Sequence, residues 1–172
     1  CLVGSEMCIR DRATSANLGP GFDVAGLALT LYNTFTFELA DQGLNITGCP
    51  EQFCNEENMT YQAFKQAAEI CGLEYQGVNI ECSGDVPYTR GLGSSSTCIV
   101  AGIVGAFAFK DKVEDRQEIL ELATAIEGHP DNVAPAIFGG LTVSVMEEDN
   151  VLTLNIPVKH DYCLLYTSPS PR

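Results

Sequence analysis

The sequence Pro87-Tyr-Thr-Arg-Gly-Leu-Gly-Ser-Ser-Ser-Thr97 decides the fold of this chain. It follows the strand-like run 78–83 and precedes the small, apolar run 98–109, so the order strand, loop, helix is predicted. Gly91 and Gly93 allow a tight turn and a close approach of a ligand to the backbone. The first N–H groups of the following helix lack internal partners, and they favour a bound phosphate.

The loop matches neither of the two commonest phosphate motifs. It lacks the lysine of a Walker loop, and Ser96 stands where the dinucleotide fingerprint has its third glycine. A serine N-cap behind a glycine turn is the alternative interpretation. The phosphate interpretation therefore depends on the polar segments elsewhere in the chain.

Composition limits the class of protein. The chain has 172 residues, of which 45% are hydrophobic and 19% charged, as in an ordinary globular domain. A net charge of −14 argues against nucleic-acid or anionic-membrane partners, and no apolar run has the length of a membrane span. The eight cysteines are irregularly spaced without a Cys-x-x-Cys pair, which favours a reducing, cytoplasmic compartment.

The two ends differ in character from the middle. Residues 1–12 and 163–172 resemble translated sequencing-adaptor read-through, and the last ten contain Ser-Pro repeats. We therefore expect residues 13–162 to be the native domain. The alternative is a natural frayed terminus at each end.

Within residues 13–162 strands and helices are mixed, which predicts an α+β sandwich. Strands are predicted at 24–39, 44–47, 78–83, 141–146 and 151–156, and helices at 58–71, 94–109 and 116–126. Three polar segments interrupt the pattern, and all three are predicted as loops: 13–23, 87–97 and 127–140.

Several charged and polar residues are candidates for chemistry. Glu121, on a helix, could offer a carboxylate oxygen to Mg²⁺, although a solvated helix face is the simpler explanation of this residue taken alone. Arg90 could pair with a phosphate or lie free on the surface. Segment 129–132, His-Pro-Asp-Asn, could supply donors and a carboxylate to a small polar substrate. Its alternative is an Asx-turn, as it is for Asn17 and Asp23.

Three motifs together resemble a known family. Ala13-Thr-Ser-Ala-Asn-Leu-Gly-Pro-Gly-Phe-Asp23, Gly91-Leu-Gly-Ser-Ser-Ser96 and Glu127-Gly-His-Pro-Asp-Asn-Val-Ala-Pro-Ala-Ile-Phe-Gly-Gly140 are similar to motifs of the homoserine kinases, in the same order. That family belongs to the GHMP kinase superfamily, which includes galactokinase and mevalonate kinase. The middle motif is common to the superfamily, and the other two are more specific to homoserine kinases.

The resemblance implies a fold, a reaction and a nucleotide site. The fold is the two-layer sandwich of the GHMP N-terminal domain, with an unusual left-handed β-α-β crossover. The reaction is phosphorylation of the side-chain hydroxyl of L-homoserine by MgATP, a step toward threonine. The residues implied to bind ATP are Asn58, at the adenine, and Pro87, Arg90, Gly91, Leu92, Gly93, Ser94, Ser95, Ser96 and Thr97, at the phosphates.

The resemblance also implies the metal and substrate residues. Ser95 and Glu121 would hold Mg²⁺. The positions matching homoserine-binding residues are Asn17, Asp23, His129 and Asp131. Arg90 and Asp131 are the catalytic candidates, with Asp131 assigned to substrate binding first and to proton transfer second.

The chain also departs from the family. Arg12 replaces a proline at the start of the first motif, and the family's second half, with its second glycine-rich motif, is absent. We therefore expect an N-terminal half with weak or no turnover by itself, and a homodimer is an expectation for the full-length enzyme only. Two alternatives remain: another small-molecule kinase of the superfamily, and a non-catalytic phosphate-binding module.

Overall fold

A computed structural model describes residues 2–3, 6–148 and 150–158. Every strand and helix predicted from the sequence is present in the predicted order. The structure adds two strands before residue 19 and a short helix at Val133–Phe138, so the prediction of an uninterrupted loop at 127–140 is wrong. The strands are β1 Leu2–Val3, β2 Glu6–Leu18, β3 Gly21–Ala40, β4 Gly43–Thr47, β5 Gly77–Gly84, β6 Leu141–Glu147 and β7 Asn150–Ile156. The helices are α1 Met59–Cys71, α2 Ser94–Ala108, α3 Arg116–Glu127 and α4 Val133–Phe138, with a short 3-10 helix at Glu51–Phe53.

The described strands form one sheet around β3. Its main order is β1-β2-β3-β5-β4. Strand β5 pairs with residues 33–40 of β3, whereas β6 pairs with residues 25–27 of β3 and on its other side with β7. All pairs are antiparallel except β4–β5, which is parallel. Parallel neighbours need a crossover, and α1 provides it. The predicted β-α-β unit is therefore β4-α1-β5, while its hand stays a prediction.

The helices cover one face of the sheet and leave a two-layer sandwich, which confirms the predicted fold class. Alternate residues of β3 point into the core: Phe35 and Phe37 are buried, and the ring of Phe37 stacks on Phe64 of α1 at 5.5 Å. Helix α2 lies so close to α1 that a Cβ at Gly102 would overlap the backbone of Thr60. The close packing is possible because this position has no side chain. The small residues of α2 thus permit close helix packing.

The prediction of a loop at 13–23 is wrong. Strand β2 continues to Leu18, the turn occupies only Gly19 and Pro20, and β3 begins at Gly21. The backbone ladder continues through these small polar residues, with register shifts between Arg12 and Thr14 and between Ala16 and Leu18. Such bulges rotate strand residues out of the regular alternation, so a strand here lacks the period that identifies strands in a sequence.

The two ends were predicted to be foreign to the domain. Residues 6–12 form the first half of β2 and pair with β3, and Met7 is buried. A backbone ladder accepts nearly any sequence, so their origin stays a prediction. The tail at 163–172 lies outside the described residues. Among the described helices, none is long and apolar enough to span a membrane.

The glycine-serine loop is fixed onto strand β2 at one residue. The backbone N–H of Thr14, which is fully buried, donates to the carbonyl of Leu92 at 3.1 Å. Gly93 follows with φ +66°, and a Cβ at this position would overlap Oγ1 of Thr14. Both the backbone angle and the close contact therefore require glycine at this position.

We expect Gly93→Ala to destabilise the protein more than Gly91→Ala. Both substitutions strain a left-handed backbone, at about 1–2 kcal/mol each. Only Gly93→Ala adds the overlap with Thr14, at about 1–3 kcal/mol, because nothing lies within 4 Å of a Cβ at Gly91. Urea unfolding of the two variants measures the difference. Equal losses in the free energy of unfolding would show that Thr14 does not fix the loop.

A second prediction concerns the buried carboxyl of Asp11. It is 5% exposed, its Oδ2 has no hydrogen-bond partner, and burial raises its pKa from 3.8 to about 7. Since the folded state holds this proton more tightly than the unfolded state, the stability it contributes is complete below pH 3.8 and lost as the pH rises through 7.

We therefore expect Asp11→Asn to raise the free energy of unfolding by up to about 4 kcal/mol at pH 8, and by little at pH 4. Urea unfolding across that pH range is the measurement, with Asp41→Asn at an exposed position as the control. A gain for Asp11→Asn that is the same at every pH would contradict the account.

Candidate active site

A cavity of about 610 Å³ opens beside the glycine-serine loop. One wall comes from residues of segment 52–59, which leads into α1, and the opposite wall from segment 88–95. Ala16, Cys98 and Asn132 complete the lining. The cavity thus lies between the start of α1 and the start of α2, and it is also lined by one residue from each of the polar segments 13–23 and 127–140.

The start of α2 presents unpaired donors at this cavity. Gly93 is the N-cap and has no side chain to satisfy the first N–H groups. The first helical hydrogen bond runs from the N–H of Thr97 to the carbonyl of Gly93, at 3.0 Å. The N–H groups of Ser94, Ser95 and Ser96 therefore lack an acceptor within the helix. Together with the helix dipole they favour an anion.

A carboxylate reaches the same helix start from α3. Oε1 of Glu127 accepts a hydrogen bond from Oγ of Ser95 at 2.8 Å and another from Oγ of Ser96 at 3.2 Å. Glu127 is the last residue of α3. Two hydroxyls and one carboxylate thus lie together beside the unpaired N–H groups.

The carboxylate hydrogen-bonded to Ser95 belongs to Glu127 and not to Glu121, the residue predicted to hold Mg²⁺ with Ser95. The metal ligand itself stays a prediction. Glu121 lies on α3 about 9 Å before Glu127 along the helix axis. Its Oε1 accepts from Nε2 of Gln117 at 2.7 Å, and the same Nε2 donates to the carbonyl of Val151. The sequence missed Glu127 because the predicted helix ended at Ile126, which left Glu127 in a loop.

Three of the predicted substrate residues converge. One ligand atom from each of Asp23, His129 and Asp131 lies within 4.8 Å of the others. Nδ1 of His129 and Oδ1 of Asp131 are 2.6 Å apart, and Asp131 is 1% exposed. Asp23 adopts a left-handed φ of 57°, an unusual angle for a residue with a side chain, which is often found at functional sites.

Asn132 connects this cluster to the cavity. Its Nδ2 donates to Oδ1 of Asp131 at 3.2 Å, and its Oδ1 accepts from Oγ1 of Thr14 at 2.8 Å. Asn132 also lines the cavity, so the acidic cluster adjoins the helix start. The backbone of Asn17 belongs to β2, but its side chain lies outside the described residues.

The remaining loop residues divide into two groups. Arg90, which is exposed, lines the cavity together with Gly91, Gly93, Ser94 and Ser95. Four predicted nucleotide residues, Pro87, Leu92, Ser96 and Thr97, do not line it.

Two of the four have structural contacts of their own. Leu92 packs in a small core cluster with Ala13 and Val86. Oγ1 of Thr97 donates to the carbonyl of Ser94 and accepts from Nδ2 of Asn33. These two side chains stabilise the loop and do not face the cavity.

Asn58 lines the cavity, but its amide is already engaged. Its Oδ1 accepts from the N–H groups of Thr60 and Tyr61, and its Nδ2 donates to the carbonyl of Phe53 at 2.8 Å. Asn58 is therefore the N-cap of α1. A contact between Asn58 and adenine, as predicted, would have to use amide atoms that already bond the backbone.

An aromatic pair marks the far end of the cavity. The rings of Phe53 and Tyr88 lie 6.1 Å apart and come from the two opposite walls. Cys98 lines the cavity as a neutral thiol, because burial raises its pKa. These residues form an apolar compartment next to the polar helix start. Sequence reasoning missed Phe53 because its only signal was an aromatic residue in an irregular, acidic stretch.

The residues present fit a magnesium nucleotide. Mg²⁺ prefers oxygen ligands and usually takes one or two carboxylates together with phosphate oxygens. Ser95 and Glu127 supply a hydroxyl and a carboxylate at 2.8 Å from each other, and the adjacent N–H groups suit phosphates. A cavity of about 610 Å³ is within the range of small-molecule sites.

Comparison with known proteins finds homoserine kinases among the relatives of this chain. The chain is 48% identical over 165 residues to a homoserine kinase of Clostridium beijerinckii, across 95% of this chain and 55% of that protein. A crystal structure of homoserine kinase from Cytophaga hutchinsonii superposes with a TM-score of 0.75 at 28% identity, over 92% of this chain and 54% of that one. The chain thus spans about half the length of these relatives.

More distant structures share the fold. Mevalonate kinase from Methanococcus jannaschii superposes with a TM-score of 0.68 at 17% identity, over 91% of this chain. Residues 58–140, which run from the N-cap of α1 to the start of β6, match the family described as GHMP kinases N terminal domain. The matched segment is therefore the N-terminal domain of a GHMP kinase.

Proposed function

We propose that this chain is the nucleotide-binding half of a homoserine kinase, which transfers the γ-phosphoryl group of MgATP to the side-chain hydroxyl of L-homoserine. The observation that carries the proposal is the hydrogen bonding of Ser95 and Ser96 to Glu127 beside unpaired helix N–H groups. The product would be O-phospho-L-homoserine, a precursor of threonine. A cytoplasmic location and a homodimer of the full-length enzyme belong to the same proposal and stay predictions.

The phosphates of ATP would lie at the start of α2. The N–H groups of Ser94, Ser95 and Ser96 would bind phosphate oxygens, and Arg90 could approach the terminal phosphate from the cavity wall. Ser95 and Glu127 would hold Mg²⁺, which supplies positive charge against the phosphate oxygens. The base would pack against the aromatic pair Phe53 and Tyr88, whose rings contact each other at 6.1 Å.

L-Homoserine would bind at the acidic cluster. Its ammonium group is a cation, and the carboxylates of Asp23 and Asp131 are its natural partners among the clustered side chains. Asn132 places this cluster next to the phosphate site. The chain would therefore bring hydroxyl and phosphate together, and positioning of this kind is a main source of rate in phosphoryl transfer.

In the transfer itself, the hydroxyl oxygen bonds to the γ-phosphorus while the bond from that phosphorus to the bridging oxygen breaks. ADP leaves with the electron pair of the broken bond. Asp131 first orients the substrate, and its second role is to accept the hydroxyl proton. His129 holds Asp131 through the 2.6 Å contact.

Replacement of one carboxylate tests the metal site. We expect Glu127→Gln to weaken MgATP binding by about 10- to 100-fold, the size expected for a charged contact of about 1.5–3 kcal/mol. ATP without Mg²⁺ should bind this variant at least as well as it binds the unchanged chain, because a negative charge near the phosphates has been removed. Isothermal titration calorimetry measures both affinities.

The matched control is Glu121→Gln, which removes the same charge from the same helix. We expect its affinity for MgATP to stay within about twofold of the unchanged chain, since the Glu121 carboxylate accepts from Gln117 and, among the described residues, is not hydrogen-bonded to Ser95 or Ser96. A larger loss for Glu121→Gln than for Glu127→Gln would restore the sequence assignment and overturn the structural one.

Histidine signals test the substrate. The chain has two histidines, His129 and His160, so its imidazole NMR signals can be assigned with His160→Gln. With MgADP present, we expect L-homoserine to shift the His129 signals and mevalonate to leave them unchanged. Asp131→Asn should abolish the shift.

Other outcomes are equally informative. A shift with mevalonate alone would favour another kinase of the superfamily, and nucleotide binding without response to either alcohol would favour a phosphate-binding module. In an ADP-release assay we expect weak or no turnover from these 172 residues with L-homoserine. A rate of about 1–100 s⁻¹, typical of kinases, would contradict the interpretation of the chain as half an enzyme.

A further inference from the structure

We propose that Cys49 and Cys54 form a reversible disulfide that fixes the cavity wall between them. Their sulfur atoms are 3.5 Å apart, and the chain between them is the short 3-10 helix Glu51–Phe53. This segment supplies Gln52 and Phe53 to the cavity. The two thiols therefore lie at the base of a loop whose tip forms part of the wall.

The geometry favours this pairing because little has to move. A disulfide bond is about 2.05 Å long, so the sulfurs must approach by about 1.5 Å, which side-chain rotation can provide. Sγ of Cys54 now donates only long contacts, to the carbonyls of Cys49 and Pro50 at 3.6 and 3.7 Å. Loss of these weak bonds opposes the disulfide very little.

The two thiols differ in access, which sets the order of the steps. Cys54 is exposed, whereas burial raises the pKa of the Cys49 thiol to about 11. Cys54, as a thiolate, attacks one sulfur of glutathione disulfide, and one glutathione leaves as a thiolate that takes up a proton. Cys49 then loses its proton and attacks the Cys54 sulfur, releasing the second glutathione.

The balance is closed: two protein thiols lose two electrons, and one glutathione disulfide becomes two glutathiones. In a reducing compartment such a disulfide would be transient, as redox-responsive disulfides usually are. The formation of the bond does not depend on the proposed function. Its effect on nucleotide affinity does rest on that function: a wall fixed in the conformation that forms the cavity should bind MgADP a few-fold more tightly.

Two other cysteines compete for Cys49. Cys98 lies close enough to Cys49 to help raise its pKa, and Cys49 in turn helps to raise the pKa of Cys82. Trypsin distinguishes the pairings, because cleavage after Arg12 and Lys65 yields a peptide, 13–65, whose only cysteines are Cys49 and Cys54. Pairing with Cys82 or Cys98 would instead join this peptide to another.

The experiment oxidises the reduced, full chain with glutathione disulfide, alkylates the remaining thiols and maps the peptides by mass spectrometry. We expect peptide 13–65 to escape alkylation and to be lighter than the reduced peptide by two hydrogen atoms. Dithiothreitol should reverse the change. Double alkylation, glutathione retained on Cys54, or a link to another peptide would overturn the proposal.

Variants and hydrogen exchange complete the test. Cys49→Ser should leave Cys54 as a mixed disulfide with glutathione, and Cys8→Ser, at an exposed thiol in β2, should change nothing. In the unchanged chain, oxidation should slow amide exchange in residues 51–55 by about tenfold, and unchanged exchange there would overturn the fixing of the wall. If the light peptide forms but neither redox state binds MgADP, the proposed function fails and the disulfide stands.

Discussion

The site depends on the contacts of a single buried residue, Thr14. Its backbone N–H donates to Leu92 in the glycine-serine loop, and its Oγ1 donates to Asn132 next to the acidic cluster. Thr14 itself belongs to the strand end that sequence analysis treated as a loop. One residue therefore fixes all three polar segments of the chain, and each segment brings a different part of the site.

Charge is distributed unevenly around this anchor. Glu127, Asp23 and Asp131 place carboxylates beside a helix start whose own charge is partially positive. Phosphates alone would be repelled by such an arrangement, and phosphates with a divalent cation would be attracted. The strongly acidic composition of the chain, with a net charge of −14, is thus compatible with an anionic ligand that carries its own metal.

The sequence predicted the parts with strong local signals. Helix α1 begins at the Asn58 cap and ends at Gly72, as its pattern indicated, and the hairpin β6–β7 lies at the predicted place. The strand ends in segment 13–23 were missed because bulges remove the period of two. The hydrogen bonds from Ser95 and Ser96 to Glu127 were missed because they depend on one extra helical residue and on packing between α3 and α2, which no local pattern contains.

A structure of the chain with Mg²⁺ and a non-hydrolysable ATP analogue would show directly whether the start of α2 binds the phosphates and the metal. The account predicts phosphate oxygens on the N–H groups at Ser94–Ser96 and a metal about 2.0–2.1 Å from oxygens of Ser95 and Glu127. The adenine should lie against the aromatic pair Phe53 and Tyr88. A metal on Glu121, or phosphates away from the start of α2, would contradict the account.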